Sequence, residues 1–191
     1  SPFFEKIMRR YIKNLIFCAT LLCMLSCGRT GNVEDFNIEI YAPKYAAGFS
    51  IVGAEGKQST ILKVKNPWQG ANDVETMLFI ARGGEKAPEG FIGQFLNGDA
   101  KRVVCMSSTH IAMLDAVGAV ETVVGVSGID FISNQYIVEN KKSIADVGYD
   151  GNMNFELLVA QEPDIILLFG VNGACAMESK LEELGIPYAY V

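Results

Sequence analysis

From Arg102 to the last residue, strand-length apolar runs alternate with helix-length segments. This alternation constrains the fold more than any other feature of the 191 residues. Arg102–Met106, Thr122–Val126 and Asp164–Phe169 read as buried strands. Ser107-Ser108-Thr109 offers capping hydroxyls for a helix over His110–Val117, with Ile111, Leu114 and Val117 on one face and Gly118 closing it. Asn154 caps a helix that runs to Gln161, with Phe155, Leu158 and Val159 facing inward and Pro163 as its stop. Glu178–Leu184 is a third helix, with Met177, Leu181 and Leu184 on one face and Gly185 at its end. Pro187–Val191 opens another strand. Strands joined through helices are joined by right-handed crossovers, so the expected class is α/β, a parallel sheet with helices on its faces. A sheet normally gains a covering helix after its last strand, so the 102–191 unit is expected to be truncated.

The front of the chain has a different rhythm. Asn37–Ala42, Phe49–Val52, Thr60–Val64 and Glu75–Ala81 read as strands, with a turn at Asn66-Pro67-Trp68-Gln69-Gly70. Residues 37–82 therefore predict a small antiparallel, β-rich section. Gly83 to Lys101 is rich in Gly, Pro and charge and predicts a linker with room for one short element.

The first residues carry export chemistry. Ser1 to Ile7 precede Met8; Arg9, Arg10 and Lys13 form a basic head before the apolar run Leu15–Leu25. A spanning helix needs about 20 apolar residues, so this run suits a cleaved signal better than an anchor. Met24-Leu25-Ser26-Cys27-Gly28 resembles a lipobox, which makes residues 8–27 a lipoprotein signal, Cys27 the lipidation site and residues 28–36 a tether. The plainer alternative is an ordinary signal peptide with a chance cysteine. Cys105 and Cys175 lie in the mature body, each in an apolar context, and read as small buried residues; a disulfide between them is open but not implied.

A formal net charge of −6 argues against nucleic acid, which needs concentrated Lys and Arg. No Cys/His spacing suggests zinc, no G-x-G-x-x-G follows a strand, and no G-x-S-x-G is present. Asp146, Asp150 and Glu156 form a carboxylate group without an accompanying base or nucleophile, and read as solvated loop charges. No catalytic residue, no cofactor and no metal site is assigned.

In open α/β sheets ligands bind beyond the carboxyl ends of the strands. Those ends fall at Ser107 to His110, Ser127 to Phe131, Tyr149 to Asn154 and Gly170 to Ala174, all polar or glycine-containing. His110 is the only histidine and stands at a helix start. It suits a metal centre or an anionic chelate, or else is a polar first-turn residue with no ligand. One histidine cannot build a protein-only metal site of three or four ligands, so any bound metal is expected to arrive already chelated. Tyr45, Phe49, Trp68, Tyr136 and Tyr149 are either pocket aromatics or packing residues. Phe49 and Trp68 favour packing; Tyr149 is the best pocket candidate.

Several of these segments resemble one family. Arg102-Val103-Val104-Cys105-Met106-Ser107-Ser108-Thr109-His110 through Ala116-Val117-Gly118, then Val123–Ser127, is similar to the opening of periplasmic binding proteins for iron–siderophore, haem and cobalamin uptake. Val147-Gly148, Asn154-Phe155-Glu156, Ala160–Ile166 and Leu181–Pro187 follow in the family's order. The resemblance implies a Rossmann-like amino-terminal lobe of a two-lobe binding protein, with ligand held between the lobes. It implies ligand contacts from Ser107, Ser108, Thr109 and His110 and from Tyr149, Asp150, Gly151 and Asn152, and permease docking through Glu156. Ser108 and Ala112 depart from the family's usual proline and acid, which leaves the ligand class open. The implied function is a lipid-anchored, periplasmic solute-binding protein of an ABC importer. It would carry a metal chelate (ferric siderophore first, haem or cobalamin next) to a permease and its ATPase. Two other classes stay open: an exported α/β enzyme with its catalytic residues beyond Val191, and a lipid-anchored interaction module acting through residues 37–82.

Overall fold

Five parallel strands order the second half of the chain. In this computed structural model the described residues are 31–45, 48–171 and 173–191; the signal run and Cys27 lie outside them. The strands are β6 (Val103–Cys105), β7 (Val123–Val126), β8 (Ala145–Asp146), β11 (Ile165–Leu168) and β12 (Tyr188–Tyr190), in the spatial order β12-β11-β6-β7-β8. All four pairings are parallel. The chain runs outward from β6 to one edge and returns to build the other, so the order reverses between β6 and β11. The class is α/β, as the alternation predicts.

Helices α1 (Ser108–Ala116), α2 (Gln135–Glu139), α3 (Phe155–Ala160) and α4 (Glu178–Leu184) connect these strands. Their starts follow local chemistry. The Ser107 hydroxyl accepts from Thr109 N, and the Asn134 and Asn154 side chains accept from Ile137 N and Leu157 N. Gly185, at φ +66°, ends α4. Helix α2, its Asn134 cap and the short strand β8 lie between Val126 and Asn154, where no element is expected from the sequence.

Two faces of the sheet are buried by different partners. Val104, Ile166, Leu168 and Tyr190 point to the face covered by Leu158 of α3 and Leu181 of α4. Each fully buried aliphatic chain there contributes about 1.5–3 kcal/mol. Val103, Cys105, Ile165 and Ala189 point to the other face. Ile111 of α1 and Ile137 of α2 cover part of it; the front of the chain covers the rest. Three expected inward residues face out: Val117, Val159 and, least, Leu184 are exposed, each within the last two residues of its helix or at its cap.

That front is a sheet of β1 (Ile38–Tyr41), β2 (Phe49–Gly53), β3 (Thr60–Lys65), β4 (Glu75–Ala81) and β5 (Gln94–Asn97). The first four are antiparallel. β5 is the short element for which the linker reading leaves room; it pairs parallel with β4, Leu78 opposite Gln94 and Ala81 opposite Asn97, and so joins the front sheet. Strand alternation gives the sheet two apolar faces. Leu62, Leu78, Ile80 and Leu96 pack on the parallel sheet, while Ile61 and Phe79 make a second small core with Phe36 and Phe91. Phe36 is buried against Phe79, rings 5.9 Å apart, and Val33–Asp35 form a 3-10 turn, so ordered packing begins before position 37. Asn32–Val191 form one compact unit.

At the amino ends of the parallel strands, the Asp164 carboxylate accepts from Lys101 N and Arg102 N at 2.8 and 2.9 Å. The Arg102 guanidinium donates to the carbonyls of Gln161 and Glu162. This clamp ties β6 and β11 at the end of the sheet away from the candidate site.

A candidate ligand cleft at the carboxyl ends of the strands

The loops leaving β6, β7, β8 and β11 converge because parallel strands all end on one side. Together they bound a cleft of about 660 Å3, the size of a small-molecule site. Ser107 and Ser108 enter from β6, Ser127, Gly128 and Phe131 from β7, Tyr149 and Asp150 from beyond β8, and Phe169, Gly170 and Cys175 from β11. Met106, Ile132, Leu168 and Met177 give it a buried apolar base, the hydroxyls of Ser107, Ser108 and Ser127 line it, and Phe131, Tyr149 and Phe169 are exposed rings around it.

Asp146, Asp150 and Glu156 are solvent-exposed, as read, but the first two also shape these loops. Asp146 accepts from the amides of Gly128, Ile129 and Gly148 at 3.0, 3.1 and 3.2 Å. Gly128 has φ +66°, and a Cβ there would lie 2.8 Å from the Tyr149 hydroxyl, so only glycine lets Tyr149 lie on that backbone. Tyr149 itself sits in a hairpin of β9 (Gly148–Tyr149) and β10 (Asn152–Met153), turned by Asp150-Gly151 with Gly151 at φ +60°. Asp150 reaches across to the start of α4, accepting from Ala176 N and Met177 N at 3.2 Å each.

Of the eight residues expected to touch ligand, Ser107, Ser108, Tyr149 and Asp150 line the cleft; Thr109, His110, Gly151 and Asn152 do not. Thr109 is exposed, and Gly151 and Asn152 form the outer part of the hairpin. His110 is corrected most. It is 1% exposed, its ring lies edge-on to Phe169 at 6.2 Å, and its Nδ1 has no hydrogen-bond partner. Burial lowers its pKa to about 4, a hydrogen bond with the Leu167 backbone pulling the other way. It is therefore a neutral core residue at neutral pH. Its apolar helix face, not its own identity, decided this. Tyr45 is 90% exposed and Phe49 stacks on Tyr41, so neither they nor Trp68 or Tyr136 line the cleft.

Cys105 and Cys175 are both free thiols. Cys105 is buried and its pKa is pushed up to about 12 by desolvation. Cys175 is only half-buried, against expectation; burial raises its pKa too, and its Sγ lies 3.1 Å from the Phe169 carbonyl oxygen. Among the described residues no three His, Cys, Asp or Glu side chains gather as a metal site, and no helix is long and apolar enough to cross a membrane. Ser127, Gly128, Phe131, Phe169, Gly170 and Cys175 complete the cleft without having been singled out as contacts; their signal was position at a strand end.

Residues 103–187 match the periplasmic binding protein family. The match begins with β6 and ends just before β12, so it takes in all four cleft loops and leaves the front sheet outside. A 112-residue stretch is 31% identical to an uncharacterized lipoprotein of Methanocaldococcus jannaschii, covering 54% of this chain and 27% of that protein. The chain thus spans about a quarter of that relative. Solved structures with partial likeness include the apo periplasmic heme-binding protein RhuT from Roseiflexus sp. RS-1. It has a TM-score of 0.37 and 24% identity, over 48% of this chain and 33% of that one. The periplasmic heme-binding protein HutB of Vibrio cholerae has a TM-score of 0.36 and 21% identity, over 47% and 33%. An ABC-type Fe3+-hydroxamate transport system structure from Saccharomonospora viridis has 0.32 and 24%, over 48% and 33%.

Proposed function

We propose that this chain carries the ligand-holding amino-terminal lobe of a lipid-anchored solute-binding protein of an ABC importer, and that its solute is a metal chelate. The observation that carries the reading is the single cleft built by four strand-end loops, inside the segment that matches a binding-protein family. Its serine hydroxyls can hydrogen-bond the polar groups of a chelate, and its exposed rings and apolar base suit the apolar flanks of a chelate whose metal is already coordinated. Ferric siderophores come first, haem and cobalamin next. Ser107, Ser108, Tyr149 and Asp150 are the proposed contacts. Lipidation at Cys27 supports a periplasmic site of action at the membrane, in keeping with the lipoprotein name of the M. jannaschii relative. Glu156, exposed on the first turn of α3, is the proposed docking point for the permease.

Trp68 is the only tryptophan and bridges Gly170 of the cleft wall, so its emission is a single, nearby probe for ligand titration. Titration of the intact protein with ferric siderophores, haem and corrinoids should quench it for at least one class. Silence with all three, confirmed by equilibrium dialysis, contradicts the chelate assignment. Glu156→Lys should abolish uptake by cells and leave chelate affinity unchanged; unchanged uptake removes Glu156 from docking.

A further inference from the structure

The front sheet lies outside the matched family segment, yet one of its residues reaches the cleft's own framework. Trp68 forms a parallel backbone bridge with Gly170, the second residue after β11. A Cβ on Gly170 would lie 2.6 Å from the Trp68 Cβ and 2.9 Å from the Gly173 carbonyl oxygen, so glycine alone admits this approach. The Trp68 ring then meets Tyr190 edge-on, centroids 5.4 Å apart. Tyr190 is 2% exposed. Its hydroxyl accepts from Cys175 N at 2.8 Å and donates to the Glu178 carboxylate. Burial and the Glu178 carboxylate raise its pKa, so the hydroxyl keeps its proton and both bonds persist. Gly170 and Cys175 both line the cleft, so the two sides of the wall after β11 are held from one residue, through its backbone and close-packed side chain at Gly170 and through its ring and Tyr190 at Cys175.

We infer that Trp68 is a positioning residue for the cleft: the front section latches the wall after β11 through Gly170 and Tyr190, and ligand affinity depends on a segment outside the matched lobe. The ligand part rests on the chelate reading above; the latch itself does not. A tryptophan that merely filled core space would support global stability without singling out this wall.

The test uses the intact protein with Trp68→Ala, Trp68→Phe and Tyr190→Phe, the last removing one hydroxyl while keeping the ring. Native-state hydrogen exchange is read at Gly170 and at Ala174 to Met177, with β7 amides as the internal standard. Trp68→Ala should speed exchange at the wall about tenfold beyond any change in β7, and weaken binding of haem or a ferric hydroxamate about tenfold. Trp68→Phe should restore most of both, and Tyr190→Phe should speed Cys175 alone. Equal acceleration of wall and β7 in both alanine and tyrosine variants overturns the latch. Wall acceleration with unchanged chelate affinity overturns its role in binding. If the wild-type protein binds neither probe, the chelate reading fails, and the exchange pattern alone upholds or overturns the latch.

Discussion

The two sheets bury their polar groups in opposite ways. Ser59 and His110 are the buried polar residues of the described fold, one in each half. Ser59, in the front section, is fully served: its hydroxyl accepts from Arg82 N at 2.9 Å and lies 3.3 Å from the Arg82 carbonyl, while its amide donates to Glu85. His110, under the cleft, keeps an unpartnered Nδ1 in an apolar setting. The front sheet also leaves its first strand exposed, whereas β6 and β12 are buried throughout. The difference teaches a division of labour. The front sheet closes one face of the lobe with a satisfied interior; the lobe holds the open strand ends and the one frustrated polar group.

That contrast is breakable in four places. The largest effect is expected where the halves meet. Leu78→Ala, from the front face packed on the lobe, should cost about 3–4 kcal/mol. Urea unfolding followed by Trp68 emission and by far-ultraviolet circular dichroism should still give coincident curves; separate transitions would mean the halves are not one cooperative unit.

His110 comes next. Its folded pKa of about 4 lies below the ordinary 6.5, so the unfolded chain binds the proton more readily between those values. Stability is therefore complete above pH 6.5 and falls as pH drops toward 4, by about 3 kcal/mol. His110→Leu should lose this share of the acid sensitivity without destabilising the protein at pH 7, since the Leu167 carbonyl keeps its bond from Met106 N. Denaturation midpoints measured from pH 7.5 to 4.5 check the slope; equal slopes in both proteins would contradict neutral burial.

Asp150→Asn weakens the carboxylate bridge to Ala176 N and Met177 N and should cost about 1 kcal/mol in thermal unfolding, with faster exchange at those two amides. The smallest effect belongs to the front edge: Ile40→Thr, on an exposed strand, should stay within about 0.5 kcal/mol.

Legibility from sequence followed the same division. The parallel strands were readable because burial on both faces makes them continuous apolar runs, and Ser107, Asn154 and Gly185 announce their helix ends chemically. β5 was hidden because Phe95-Leu96 is a two-residue apolar signal between Gly93 and Gly98, and its partner lies a crossover away. Helix α2 was hidden by its five-residue length. The cleft was legible as strand ends, and Ser107, Ser108, Tyr149 and Asp150 were found that way. His110 was misplaced because residue type suggested a ligand while its helical position turned it onto the sheet beside Ile111. Apart from the Gly148 amide beside Asp146, the amides that Asp146 and Asp150 hold lie far along the chain, which no local pattern reveals.

The four-loop cleft is proposed to hold a chelate. Equilibrium dialysis of the wild-type protein and of Ser108→Trp, which fills the cleft from the exposed first position of α1, tests it most directly. The expected result is saturable binding of a ferric siderophore, haem or a corrinoid by the wild type, and at least about tenfold weaker binding by the variant at unchanged melting temperature. Binding of equal strength by both proteins, or by neither, would contradict it.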